Sequence, residues 1–232
     1  MFSTVEGQLW LLDAQEGLSR LPASVPQPEQ AAWSPDGQQL AVGGAGAVVV
    51  APPGALAEAP VVRYQGRLAG LCWRDATTLV FGLLTPEGTS FQLWEVGADG
   101  GESPRLVWTC PEPRLRLQSV SPAGDFAWVG FGLVNLDGGA FGQVAGAATV
   151  YDLAFSPDGR GWLYASRTVK DLEPHYVLAL RPAGSSSGEE QVLLESSKQV
   201  DILTWTRGGR VGVLLAHAEQ PEIVFLQLAA QR

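Results

Sequence analysis

One short phrase occurs twice in this chain of 232 residues and constrains its fold more than any other feature. It reads Trp33-Ser34-Pro35-Asp36-Gly37 ahead of Leu40-Ala41-Val42, and Phe155-Ser156-Pro157-Asp158-Gly159 ahead of Trp162-Leu163-Tyr164. Pro35 and Pro157 set φ for the first central residue of a type I turn, and the Ser34 and Ser156 hydroxyls can bond back to the backbone. Gly37 and Gly159 accept the positive φ that closes a tight reversal. The phrase is therefore a hairpin turn and not a catalytic motif. The flanking residues run apolar in strand-sized pieces, Ala31 to Trp33, Leu40 to Val42, Val48 to Val50 and Val61 to Val62, bounded by Gly and Pro, and no stretch has helical period.

Weaker echoes begin at Trp73, Val120 and Trp205. The anchors 33, 73, 120, 155 and 205 are 40, 47, 35 and 50 residues apart, a mean of 43, which is the length of a four-stranded propeller blade, about 40 to 45 residues. A repeat of this kind buries its faces against its neighbours, and radial repetition leaves only short edges. The expectation is an all-β chain, a single domain over 1–232: a β-propeller of four-stranded antiparallel blades. Phe2 to Val5, Gln8 to Asp13 and Leu18 to Leu21 read as the last three strands of a first blade. Ile202 to Thr206, Val211 to Leu215 and Ile223 to Leu228 read as the first three of a last blade. Six blades with incomplete terminal blades is the preferred count, and five blades with a composite closing blade is the alternative. An unfilled strand position at the seam where the chain ends meet would offer backbone donors and acceptors to another protein or to a second copy.

The run Gln8-Leu9-Trp10-Leu11-Leu12-Asp13-Ala14, with Gly17, Leu21, the Trp33-Ser34-Pro35-Asp36-Gly37 turn and Leu40-Ala41, resembles the TolB-like, WD-repeat-like propeller repeat. Departures are plain. Trp73-Arg74-Asp75-Ala76-Thr77 has neither Pro nor Gly, Ser121-Pro122-Ala123-Gly124 lacks the Asp, and Trp205-Thr206-Arg207-Gly208-Gly209 keeps only Gly. The resemblance implies the fold and leaves activity open, because peptidase gating domains, envelope proteins and pure scaffolds share the repeat.

With 46% hydrophobic and 17% charged residues, the chain has material for buried strands. Its net charge of −9, from dispersed acids, disfavours phosphate backbones, so nucleic acid is not an expected partner. Arg outnumbers Lys 13 to 2 and Asn135 is the only Asn, a composition that fits a GC-rich bacterial genome. Met1 to Gly7 lacks the basic start of a signal peptide, which points to the cytoplasm, although many TolB-like proteins are exported. The uncharged stretch Gly37 to Ala57 is too broken by Gly and Pro for a membrane-spanning helix.

Cys72 and Cys110 are the only cysteines, too few for a disulfide framework or paired zinc thiolates. Cys72, beside Trp73 in a strand, reads as a small buried hydrophobe, and Cys110 as nearer the surface. The most specific site candidates surround the two histidines. His175 lies with Lys170, Asp171 and Glu173 between the second and third strands of one blade, and His217 with Glu219 lies in the corresponding connection of the next. Imidazoles and carboxylates together can hold a divalent metal or a proton-linked contact, although solvated loop residues are the plainer reading and no cofactor is expected. Arg114 and Arg116, and the segment Arg63 to Arg74, offer a basic rim for an acidic partner. The glycines of Gly130 to Ala148 do not form a phosphate loop and suit close strand packing. Gly184 to Gly188 with Glu189 and Glu190 reads as a flexible hairpin tip, and the eight Trp read as core residues first.

Three functional classes follow, in order. The first is a non-catalytic propeller acting as a protein–protein interaction scaffold or accessory subunit in a bacterial complex. The second is a binder of a sugar or peptide in the central funnel. The third is a propeller hydrolase or metal-binding protein.

Overall fold

In a computed structural model of the chain, residues 2–3, 8–13, 17–21, 25, 27–57, 61–144, 149–183, 190–216 and 221–228 are described. Among the described residues twenty-two strands fall into six sheets, and strands join in chain order within each. The first sheet holds β1 (Phe2–Ser3), β2 (Leu9–Asp13) and β3 (Gly17–Leu21). The second holds β4 (Gln30–Trp33), β5 (Leu40–Gly44), β6 (Ala47–Ala51) and β7 (Val61–Arg63). The third holds β8 (Arg67–Trp73), β9 (Thr78–Leu84), β10 (Phe91–Gly97) and β11 (Arg105–Cys110). The fourth holds β12 (Leu117–Val120), β13 (Phe126–Val129), β14 (Gly132–Asn135) and β15 (Phe141–Gln143). The fifth holds β16 (Thr149–Phe155), β17 (Gly161–Lys170), β18 (Glu173–Pro182) and β19 (Gln191–Ser196), and the last β20 (Gln199–Trp205), β21 (Arg210–Ala216) and β22 (Glu222–Gln227). The sheets are antiparallel. Four of them have four strands and the two terminal ones have three, as the repeat count and the incomplete ends led us to expect. Two compact units contain them, Met1–Val120 with Val134–Ala140, and Ser121–Leu133 with Phe141–Arg232.

The hairpin phrase folds as its residue types require. Ser34 N–H donates to Gln39 O and Gly37 N–H to Ser34 O, both at 2.9 Å, while the Ser34 hydroxyl accepts the Gln39 N–H at 2.9 Å. Ser156 repeats the pattern, accepting the Gly161 N–H at 2.9 Å, and both serines are buried. Gly37 and Gly159 sit at φ 71° and 73°, where a side chain costs about 1–2 kcal/mol. Two of the three eroded copies keep the part that matters, and the one after Trp73 replaces it with the Asp75 carboxylate, which accepts the Thr77 N–H at 2.7 Å. Ser121 accepts the Phe126 N–H at 3.0 Å with Gly124 at φ 74°, and Asp125 supplies the carboxylate that position 123 lacks. Thr206 and Gly209 do the same after β20, and Thr85-Pro86-Glu87-Gly88 reproduces the turn between β9 and β10, a copy the repeat spacing does not reveal. A hydroxyl that replaces water for an N–H, followed by a left-handed Gly, is thus the device shared by every copy but the one after Trp73.

In the first unit the inner strands of neighbouring sheets approach at backbone distance. The Trp73 indole N–H donates to Ala32 O at 2.9 Å, tying β8 to β4. Gly70, at φ 147° in the bulge between Leu68 and Leu71, leaves no room for a side chain: a Cβ would lie 2.3 Å from Leu117 O on β12. Around these contacts Leu71, Trp73, Leu79, Phe81, Leu83 and Val96 form one core, and Leu9, Leu40, Val42, Val49 and Leu56 another. A fully buried side chain such as Phe81 contributes about 2–3 kcal/mol by area. The second unit has the same logic with different atoms. Tyr151 donates its hydroxyl to Val200 O at 2.7 Å and accepts the Val200 N–H at 3.1 Å, and Asp152 accepts the Ile202 N–H at 2.6 Å, so two consecutive side chains of β16 grip β20.

All eight Trp lie in strands, and Trp73, Trp128 and Trp162 are buried, as expected of core residues. Trp33 departs from that reading at 41% exposed, because the third residue of its four-residue strand, Ala32, and not Trp33, faces the core around Phe81. Of the glycines assigned to close packing, Gly132 has Phe141 within 2.4 Å of its would-be Cβ and Gly139 has Val107 O within 2.6 Å. Gly142 meets nothing within 4 Å. Gly184 to Glu189 lie outside the described residues.

Two predictions follow from the turns and the close approach. Gly37→Ala, strained but unobstructed, lowers stability by about 1–2 kcal/mol, whereas Gly70→Ala, strained and in collision with backbone, lowers the melting temperature much further. Equal losses in thermal unfolding would show that Gly70 is not a packing constraint. The Ser34 hydroxyl and then the Gln38 N–H hold the Asp36 carboxyl below its ordinary 3.8, and the Arg160 N–H and then the Ser156 hydroxyl do so for Asp158. A depressed folded pKa gives stability that is present above the unfolded value and lost as pH falls through the folded one. Asp36→Asn/Asp158→Asn therefore flattens the melting temperature against pH below about pH 4, and leaves the slope near neutrality unchanged.

Candidate functional site

Four strands give the fifth sheet its place in the series, but two of them run further than the sheet needs. β17 and β18 are ten residues each, and their register continues from Gly161↔Pro182 to Lys170↔Glu173. On one side β19 stops at Tyr176↔Ser196, and among the described residues β16 pairs no further than Thr149↔Arg167. Residues 168–175 therefore stand beyond the sheet as a two-stranded finger, about 10 Å of extra reach at 3.3 Å per residue. Side chains opposite one another share a face, so Val169 and Pro174 lie on one side of the finger, and Thr168 with His175 and Lys170 with Glu173 on the other.

This geometry corrects the reading of His175, Lys170, Asp171 and Glu173 as a loop. His175, Lys170 and Glu173 are strand residues, and only Asp171 and Leu172 form the turn. His175 is half-buried, and its Nε2 lies 3.6 Å from Glu195 Oε2 on β19. Two long, β-rich strands in register extend the ladder through positions that local polarity marks as solvated, which is why polarity alone misplaced them. His217 and Glu219 lie outside the described residues. Among the described residues no three His, Cys, Asp or Glu side chains are gathered at metal-binding range.

The finger's turn carries an unusual residue. Asp171 and Leu172 have φ of 53° and 68°, the double left-handed turn that hairpins favour and that Asn-Gly or Asp-Gly normally fills. A leucine in this conformation costs about 1–2 kcal/mol. Among the described residues it gains nothing back, since Leu172 is 95% exposed and Val169 nearby is 68% exposed. The sequence signal is present in hindsight: Val169-Lys170-Asp171-Leu172-Glu173-Pro174 has a turn former at the first turn position and no glycine at the second.

The arginines divide. Arg114 and Arg116 are exposed on the connection between β11 and β12, flanking buried Leu115. The segment Arg63 to Arg74 is not a loop: β8 occupies Arg67–Trp73, its apolar residues turned into the core. Arg74 is committed elsewhere. Its Nη1 lies 2.7 Å from Glu95 Oε1, its other terminal nitrogen contacts Asp137, and Arg105 contacts the second Glu95 oxygen. Glu95 is largely buried at the centre of this four-residue network, whose members come from β10, β11 and two turns, separations no sequence pattern reports. Cys72 lies with Sγ 3.8 Å from Gln118 O, and burial pushes its thiol up to about 12, so it is an inert packing residue and not a nucleophile.

The last sheet differs from the complete ones at its third strand. β6 is buried throughout, and β10 buries Phe91, Leu93 and Val96. β22 turns Val224 and Leu226 onto the core with Val211 and Val213, but leaves Ile223 60% and Phe225 64% exposed on its other face, with the Phe225 ring lying across Gly212. Among the described residues no strand pairs with its outer edge.

Replacing Glu95 by Gln leaves the Arg74 guanidinium, 18% exposed, with only the Asp137 ion pair, and removes the carboxylate that Arg105 contacts. We expect a stability loss of about 1–3 kcal/mol in thermal unfolding. A loss below 0.5 kcal/mol would mark the network as an ordinary surface cluster.

No family model and no curated protein matches the chain. Solved structures do. An oligogalacturonate lyase solved in complex with manganese aligns at a TM-score of 0.72 and 17% identity, over 94% of this chain and 67% of that one. The β-propeller domain of the trilobed protease from Pyrococcus furiosus, described as having an open velcro topology, aligns at 0.61 and 12%, over 94% and 76%. The putative TolB from Agrobacterium tumefaciens aligns at 0.54 and 13%, over 91% and 80%. The chain also matches the tricorn protease, of which it spans only 22%. Identities this low carry the architecture and no activity. With six blade-like antiparallel sheets and these neighbours, the chain has the fold of a β-propeller built from TolB-like repeats.

Proposed function

We propose that this chain is a non-catalytic interaction propeller, an accessory or scaffold subunit of a bacterial, cytoplasmic complex. The observation that carries the reading is β22. An apolar third strand exposes Ile223 and Phe225, whereas no apolar residue on the third strand of a complete sheet is exposed, and its outer backbone edge is unpaired among the described residues. An extended segment of a partner protein, laid antiparallel along β22, would satisfy that edge, and its apolar side chains would cover Ile223 and Phe225. The terminal-blade seam expected from the sequence enters this reading only through β22. The membrane plays no part in the proposal, and among the described residues no helix is long and apolar enough to cross one.

The test compares the chain with Ile223→Lys/Phe225→Lys, both isolated from the native host. We expect the protein retained by the unaltered chain to fall at least tenfold, with the melting temperature unchanged. As a control, Leu106→Lys, on the outer strand β11 of a complete sheet, retains it. Equal retention by all three chains would refute the β22 reading.

A further inference from the structure

We infer that the β17–β18 finger is a second contact element, whose tip inserts Leu172 into an apolar socket with a basic rim on a partner protein. This rests on the reading of the chain as an interaction propeller, but uses a surface separate from β22.

The argument begins with the turn. Asp171 and Leu172 both occupy the left-handed region, a conformation glycine adopts freely and leucine does not. Leu172 also exposes nearly its whole side chain to water, with Val169 exposed close by on the same finger. Strain and exposed apolar surface thus coincide at one residue, and a glycine there would remove both. Bulky side chains held in sparsely populated backbone regions cluster at sites where the surroundings use them, and among the described residues nothing covers Leu172. The compensation must then come from outside it.

Two features say what kind of partner fits. The β18 edge of the finger is poorly suited to strand addition, because Pro174 has no N–H to donate, and the β17 edge beyond Arg167 is only three residues long. Recognition therefore goes through the side chain at the tip and not through backbone pairing, in contrast to β22. Asp171 and Glu173, both exposed, flank Leu172 on either side and outnumber the one cation of the tip, Lys170 opposite Glu173. They call for Lys or Arg at the rim of the socket, and they oppose an anionic lipid surface, as does the chain's net charge of −9.

Two measurements on the full chain test this. The first is thermal unfolding of Leu172→Gly. We expect a melting temperature unchanged or raised, because the substitution relieves strain without removing an internal contact. A lowered melting temperature would show that Leu172 serves its own fold and would overturn the proposal. The second places a photoreactive phenylalanine at position 172 in the native host, with position 192, another exposed apolar site on this sheet, as the control. We expect one discrete protein adduct from position 172, absent from position 192. Its cross-linked peptide should hold apolar residues beside Lys or Arg, and yield should fall several-fold when Asp171→Asn/Glu173→Gln is added. No discrete adduct, the same adduct from both positions, an adduct to lipid or to a second copy, or indifference to the acid replacements would each overturn it. Position 172 is read in the Ile223→Lys/Phe225→Lys background as well. An adduct that persists there separates failure of the β22 reading from failure of this one.

Discussion

A sheet that is apolar on both faces holds together in water only when each face is covered, and the rest of this chain follows from that demand. Residues of β5 and β6 are buried on alternate sides, so the second sheet needs apolar neighbours on both. The first strands of adjacent sheets meet that need by approaching until the backbone or a side chain of one reaches the backbone of the next. Gly70 beside Leu117, Trp73 bonded to Ala32, and Tyr151 with Asp152 gripping β20 are three chemical answers to one geometric problem. A Cβ at Gly70 would break the first outright, whereas the grip of Tyr151 and Asp152 replaces water on two N–H groups and a carbonyl that burial would otherwise leave unpaired.

The same demand explains why function gathers where the pattern is interrupted. Most strands spend their side chains on neighbouring sheets, and the charged residues that might suggest chemistry are spent likewise. Arg74, Glu95, Arg105 and Asp137 neutralise one another, and the Cys72 thiol is held protonated by burial. Among the described residues the most exposed large apolar side chains gather in two places: the outward face of β22 and the tip of the β17–β18 finger. They differ in kind. β22 offers a backbone edge with flanking hydrophobes, and the finger offers one strained side chain between two acids, so they suit different modes of recognition.

Much of the architecture was readable because turn chemistry is local. Ser34, Pro35, Asp36 and Gly37 act within six residues, and each type has one physical use there, so the spacing of copies reported the series of sheets and its incomplete ends. The copy at Thr85 escaped because it joins β9 to β10 and so falls between the anchors. Asp125 escaped because its carboxylate reaches the Ser121 hydroxyl from a shifted position. The candidate site was far less legible. His175 looked like a loop residue because its neighbours are polar, yet the ladder from Gly161↔Pro182 carries it as strand. Leu172 drew no notice because a leucine is informative only once its φ and its exposure are known.

What the sequence determined by itself is most of the local reversals and, through their period, a series of antiparallel sheets in chain order, with six preferred over five, since a turn needs only its own residues to form. Tertiary structure alone decided which apolar residues are covered and which are left bare. Burial is a property of partners distant along the chain: Ile223 and Val224 are adjacent, chemically alike, and equally suited to a strand. One meets the core of its own chain and the other faces water, because pleating sends neighbours to opposite sides and only one side of that sheet is packed.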